Sequence, residues 1–183
     1  MDKNYWKEHY AGSWKKASEK EEFIKKQIAD ATGLKVINYG LGSGSATFIS
    51  GSAAESNMKK GDADLYIEER NCFVEITGPN IPVFKDADLW FRPDKIQNAY
   101  DKYITDNSVQ SYLVHLQNDK GTNNQQIRVL VADNTFLSKW KNAVYKIIKP
   151  SFNGRTETYY SINAKDDSLI SFEEFINLLN KKR

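Results

Sequence analysis

Residues 61–78 read GDADLYIEERNCFVEITG, in which two β-branched and aromatic runs, ADLYIEE and CFVEITG, are separated only by Arg70 and Asn71. Runs of that composition form strands, and so short a joint leaves them little choice but an antiparallel hairpin. The hairpin carries its charges in costly places. Asp62 and Asp64 stand at the mouth of the first strand and Glu75 in the middle of the second, where a buried and unpaired carboxylate is strongly disfavoured. Glu75 follows Asp64 by 11 residues, so a tight turn brings the two near one end of a sheet. Paired carboxylates there offer the oxygen ligands that Mg²⁺ or Mn²⁺ takes, and such a cation activates water and neutralises phosphate charge. The competing explanation is a hairpin whose acids are solvated or paired with lysine.

The rest of the chain supplies elements to pack around this hairpin. Ser18 and Glu21 have the spacing of a capping box, and Phe23, Ile24, Ile28 and Ala31 recur at helical spacing until Gly33, which predicts a helix over 18–32. LKVINYG is a strand, and the Gly- and Ser-rich stretch after it holds one short apolar run, ATFIS, before the hairpin. Pro93 suits a first helical turn and Ile96, Ala99, Tyr100 and Tyr103 share a face, which predicts a helix over 93–106. QSYLVHLQN and QIRVLVAD are the next strands, TFLSKWKNAVYKIIK reads as an amphipathic helix ending before Pro150, and TETYYSIN reads as an edge strand. Ser171 and Glu174 form a second capping box with Ile170 and Phe175 as its staple, predicting a C-terminal helix.

Composition excludes several classes. At 183 residues the length suits one domain, and 40% hydrophobic with 13% aromatic residues suffices for a packed core. Cys72 is the sole cysteine, which rules out an intrachain disulfide or a multi-cysteine zinc site. With no apolar run of membrane-spanning length and no signal-like start, the expectation is a cytoplasmic protein with no membrane partner. A net charge of +2 does not by itself announce a nucleic-acid binder. No nucleophile elbow, P-loop or dinucleotide fingerprint is present.

At Asp64, Glu75 and the elements around them the chain resembles the PD-(D/E)xK nuclease superfamily, the restriction-endonuclease-like and Holliday-junction-resolvase-like proteins. The resemblance runs from the helix at 18–32 through DADLYI, FVEITG and the helix at 93–106 to VLVAD, about 18–133. It implies an α/β fold with a restriction-endonuclease-like αβββαβ core, a mixed central sheet flanked by helices, within one nuclease-like domain over 1–183 whose C-terminal strand and helices occupy 134–183. It also implies a metal-dependent endonuclease that hydrolyses DNA phosphodiesters through a water activated at Mg²⁺ (or Mn²⁺) held by Asp64 and Glu75. Restriction-like enzymes are often homodimers. The departure falls two residues after Glu75, where the family has lysine and this chain has Thr77. A threonine hydroxyl cannot supply that charge. In some branches the lysine has moved to the following helix, and RPDKIQNA offers Lys95 there, at the margin of its apolar face, with Thr77 left to hydrogen-bond near the metal. Lys85 is a less constrained source. Family members sometimes carry a further acid on the first helix; among Glu19, Glu21 and Glu22, Glu21 lies at the margin of the apolar stripe, where it also fits as the capping partner of Ser18.

GSAAESNMKKGDADLYI is similar to a second signature, that of polymerase-β-like nucleotidyltransferases. In that reading Gly51 and Ser52 hold a triphosphate and Asp62 and Asp64, on one face of a strand, bind the metals. It explains Asp62, but the third carboxylate comes sooner than such enzymes place it. Thr77 also leaves open a nuclease-like fold without catalysis, serving as a nucleic-acid-binding module. Elsewhere, His115 reads as a structural or rim residue with Gln117 on its face. Tyr5, Trp6, Tyr10 and Trp14, interleaved with Lys3, Lys7, Lys15 and Lys16, suit either a docked aromatic helix or nucleic-acid contact. Lys139, Lys141, Lys146 and Lys149 suit either a solvated helix face or a DNA backbone.

Overall fold

The computed structural model describes residues 3–40, 62–152 and 155–181, with the side chains of 3–14, 152 and 155 outside that description. It is mixed α/β. Helix α1 (Lys3–Thr32) leads into β1 (Val36–Asn38), the hairpin strands β2 (Leu65–Ile67) and β3 (Cys72–Thr77), a short strand β4 (Leu89–Phe91) and helix α2 (Pro93–Thr105). Then come β5 (Gln110–Asn118), β6 (Gln125–Val131), α3 (Asn134–Lys141), β7 (Lys146–Ile148), β8 (Ser151–Phe152), β9 (Arg155–Thr156), β10 (Tyr159–Ile162), β11 (Leu169–Ser171) and α4 (Phe172–Asn180).

Six strands form one sheet in the order β1-β2-β3-β5-β6-β11. It is mixed because β3 and β5 run parallel while every other neighbour is antiparallel. A parallel pair needs a crossover, and α2 provides it. Alternation divides the sheet's side chains between two apolar layers. Cys72, Val74 and Ile76 of β3 join Ile24 and Ile28 of α1 and Phe175 and Leu179 of α4. On the other face Leu113 and Leu130 meet Ile96 and Ala99 of α2, Phe136 and Leu137 of α3, and Leu89, Phe91 and Ile162 of a second sheet. That smaller sheet has the order β4-β10-β7, and β8 pairs with β9.

Four expectations need correction. The helix expected over 18–32 begins at Lys3, so Ser18 is interior and Ser18–Glu21 is not a cap. No proline interrupts 3–17, and Gly12 alone costs only about 1 kcal/mol there. Its C-terminus is as predicted: Gly33 takes φ 69° and its N–H bonds to the Ala29 carbonyl at 2.8 Å. The long helix read into 135–149 stops at Lys141, because Ala143 adopts a left-handed φ of 56° and the β-branched residues after it pair with β10. Lys146 and Lys149 therefore do not share a helix with Lys139 and Lys141. β10 is the middle strand of the second sheet rather than an edge. The joint of the hairpin is a 3-10 turn, Glu68–Arg70, closed by a left-handed Asn71 (φ 46°), longer than the two residues Arg70 and Asn71. The second capping box forms as expected, with the Ser171 hydroxyl and the Glu174 carboxylate each satisfying the other's backbone N–H. ATFIS lies outside the described residues, as do the side chains of Lys3, Tyr5, Trp6, Lys7, Tyr10 and Trp14. No helix among the described residues is long and apolar enough to cross a membrane.

Candidate active site

Hairpin register builds the site. Leu65 faces Val74, Tyr66 faces Phe73 and Ile67 faces Cys72, so one more step places Asp64 across from Glu75. The Ile76 N–H donates to Asp64 Oδ2 at 2.7 Å, which fixes the aspartate against β3. Alternation turns Phe73, Glu75 and Thr77 away from α1 and toward the α2 side of the sheet.

Helix α2 then delivers the positive charge. Pro93 occupies the first helical position, and Lys95 follows in the first turn. The helix dipole disfavours a cation there, a local conflict of the kind that marks a site. Lys95 Nζ lies 2.8 Å from Glu75 Oε1 and 2.9 Å from Oε2. Glu75 is only 7% exposed, so this ion pair is desolvated and each partner depends on the other. Burial, then the Asp64 charge beside it, push the Glu75 carboxyl well above its usual range against the pull of Lys95. Burial works against the Lys95 ammonium, yet Glu75 and Asp64 outweigh it and its pKa is raised. Burial raises Asp64 to about 6, with Lys95 opposing and Glu21 of α1 adding to the rise.

These two carboxylates fit a hard divalent cation. Both ligands are oxygen and they sit side by side across a strand pair. Among the described residues no cluster of three or more His, Cys, Asp or Glu is arranged to hold a metal. Mg²⁺ needs no such cluster, since one or two carboxylates with water complete its shell.

The other candidates fall in different places. Thr77 is half-buried at the end of β3 and pairs in register with His115. His115 is buried against Phe91, its pKa lowered to about 3 by burial and then by Lys20. Lys85 is exposed on the loop after β3, where its backbone N–H donates to Asp119; the ammonium at Glu75 belongs to Lys95. Lys139 pairs with Asp167 and Lys141 lies 4.1 Å from the Tyr100 ring centroid, so both are engaged within the molecule. Gly51 and Ser52 lie outside the described residues.

A neighbouring polar group went unread in the sequence. Asn98 donates to Asp62 Oδ1 at 3.2 Å, Lys102 Nζ lies 3.5 Å from the same oxygen, and Lys102 also donates to Asn98. The Lys102 ammonium sits 4.7 Å from the Phe73 ring centroid, its pKa lowered by burial against the attraction of Asp62. The spacing 95, 98, 102 puts all three α2 residues on one helical stripe facing the acidic hairpin, and that spacing is the signal that finds them. Lys20 of α1 donates to the carbonyls of Gly78 and Pro79 at 2.9 and 2.8 Å and ties the helix to the end of β3. Comparisons with protein-family models, with curated proteins and with solved structures return no match to this chain.

Proposed function

We propose that this chain is a metal-dependent nuclease of restriction-endonuclease-like fold that hydrolyses DNA phosphodiesters, with Asp64 and Glu75 as metal ligands and Lys95 in place of the lysine that Thr77 displaces. One observation carries the reading: the Lys95 ammonium, from the helix after the hairpin, rests on both oxygens of Glu75 next to Asp64. The succession α1, β1, β2, β3, α2, β5 supports the fold assignment, with β4 diverted to the second sheet.

Bound at the two carboxylates, Mg²⁺ or Mn²⁺ would lower the pKa of a coordinated water and neutralise phosphate charge. The chain's own residues do the rest. Ile76 holds Asp64 in place through its N–H. Lys95, its pKa raised, stays protonated and serves as a hydrogen-bond donor to the attacking water and the phosphate oxygens, not as a base. The Thr77 hydroxyl borders the same face and offers a neutral hydrogen bond. In the reaction a water oxygen gives up a proton to solvent and bonds to phosphorus, the P–O bond to the leaving sugar oxygen breaks, and that oxygen takes a proton from solvent. One such site cuts one strand at a time, and a homodimer that supplies a second site for concerted cutting of both strands belongs to the same reading.

The test is incubation with supercoiled plasmid and with single-stranded DNA in Mg²⁺ or Mn²⁺. Nicked or linear product that disappears in Asp64→Ala and Glu75→Ala is the expected result, and intact nucleic acid under all these conditions sinks the proposal. Labelled nucleotide transfer that depends on Ser52 and Asp62 would favour the transferase instead. Tight DNA binding without turnover, indifferent to Asp64→Ala, would mark an inactive binding module.

A further inference from the structure

Helix α2 meets the sheet in two different ways. Its apolar side, through Ile96 and Ala99, packs with Leu113 of β5 and Leu130 of β6. Its polar stripe reaches back over the strands that carry the carboxylates. Lys95 goes to Glu75 of β3, while Asn98 and Lys102 go to Asp62, two residues before Asp64.

Lys102 is fixed from several sides. Its ammonium lies 3.5 Å from Asp62 Oδ1, donates to the Asn98 side chain, and rests 4.7 Å from the Phe73 ring centroid and 5.9 Å from that of Tyr39. Phe73 stands two residues before Glu75 on the same face of β3, and the Tyr39 N–H donates to the Asp64 carbonyl at 2.8 Å. One ammonium thus touches the segments on either side of both carboxylates, held by charge and by the ring faces. The Lys102 and Asp62 side chains are only 16% and 14% exposed, so this is not the solvated surface pair that contributes little. The cluster adjoins the other ion pair directly: Glu75, Lys95, Asn98, Lys102 and Ser111 line one cavity of about 10 Å³, about the size of a water. A lysine on a flexible four-carbon stem is aimed only as well as the helix that carries it, and such a helix needs its own supporting contacts.

We propose that Asp62, Asn98 and Lys102 are positioning residues that seat α2 on the hairpin and so set the Lys95 ammonium on Glu75 beside Asp64. This role commits Asp62 to the helix and not to a metal. The positioning stands on the contacts themselves; its effect on cleavage rests on the nuclease reading.

NMR of the lysine side chains of the whole protein in EDTA decides the positioning. The Lys95 ammonium, identified by the signal missing from Lys95→Met, is expected to exchange its protons with water several times faster in Lys102→Met and in Asp62→Ala. In Asp62→Asn it should stay as in the wild type, because the amide oxygen still accepts from Asn98 and Lys102. An unchanged Lys95 signal in folded Lys102→Met overturns the proposal, and Asp62→Ala carries the same test if Lys102→Met does not fold. With cleavage in hand, Lys102→Met and Asp62→Ala should each lower kcat about tenfold or more at unchanged KM for DNA. The double variant should lose no more than the worse single one, and Asp62→Asn should keep most of the rate. A rise in KM alone would make Lys102 a substrate contact, and a loss in Asp62→Asn equal to that in Asp62→Ala would make Asp62 a metal ligand; either overturns the assignment. Failure of the wild type to cut any nucleic acid removes the nuclease reading and the effect on rate, while the Lys95 signal still decides the positioning.

Discussion

The Lys95 ammonium bridges both carboxylate oxygens of Glu75, at 2.8 and 2.9 Å, from the first turn of α2 to the middle of β3. Removing one member of a buried pair strands the other charge, which costs about 3 kcal/mol or more. Lys95→Met is therefore expected to lose about 3 kcal/mol in urea unfolding at about pH 8, and less near pH 5, where Glu75 escapes by protonating. Cleavage should fall by about a hundredfold or more, the usual consequence of deleting one preorganised donor. Lys95→Arg should recover most of the stability and less of the rate, because a guanidinium fork presents its donors differently from a point charge. Full activity in Lys95→Met would remove Lys95 from the mechanism.

That Asp64 and Glu75 lie near one another at one end of the sheet was legible from the short turn and the eleven-residue offset. Their direct opposition was not, because a two-residue joint at Arg70 and Asn71 would set Asp64 against Thr77, and the longer turn over Glu68–Arg70 fixes the register instead. Lys95 was reachable from its place at the edge of the α2 apolar face. Lys20 was not, since its acceptors at Gly78 and Pro79 are 58 and 59 residues away and no local pattern announces them. Ser18 misled because a capping box is a local signature that an uninterrupted helix overrides. The split of 134–149 depended on pairing of Lys146–Ile148 with Tyr159–Ser161, a partner invisible to helical periodicity.

Gly78 ends β3 at φ 131°, and a Cβ there would come 2.0 Å from the Leu116 carbonyl oxygen. Strain in the backbone and overlap with β5 act together, so Gly78→Ala is expected to cost about 3 kcal/mol. The same change should displace the carbonyl that Lys20 uses. Urea unfolding checks it; a loss under about 0.5 kcal/mol would mean that the strands separate easily at this point.

At the far end of the chain the Ser171 hydroxyl accepts the Glu174 N–H at 3.1 Å and the Glu174 carboxylate accepts the Ser171 N–H at 2.7 Å. Helix α4 packs Phe175 and Leu179 under the sheet, so its start matters to the core. Ser171→Ala should lower stability by about 1 kcal/mol and leave cleavage unchanged, because α4 lies on the face opposite Lys95. Reduced turnover at a temperature where the variant is fully folded would contradict that separation of roles.

Proton linkage at Asp64 gives the last prediction. Burial raises its pKa to about 6 from an ordinary 3.8, and Glu75 is raised in the same direction. The folded state therefore holds protons that the unfolded chain releases, so stability falls as pH rises from about 4 through about 6. Asp64→Asn removes its share of this loss. In EDTA the variant should unfold at higher urea than wild type near pH 8 and show no such advantage near pH 4. Adding Mn²⁺ near pH 8 should reverse the order, because a cation bound to the ionised pair stabilises only the wild type. Unfolding midpoints of both proteins at the two pH values, with and without Mn²⁺, test each step. A variant less stable than wild type in EDTA near pH 8 would show that the Ile76 and Lys95 contacts outweigh burial at Asp64.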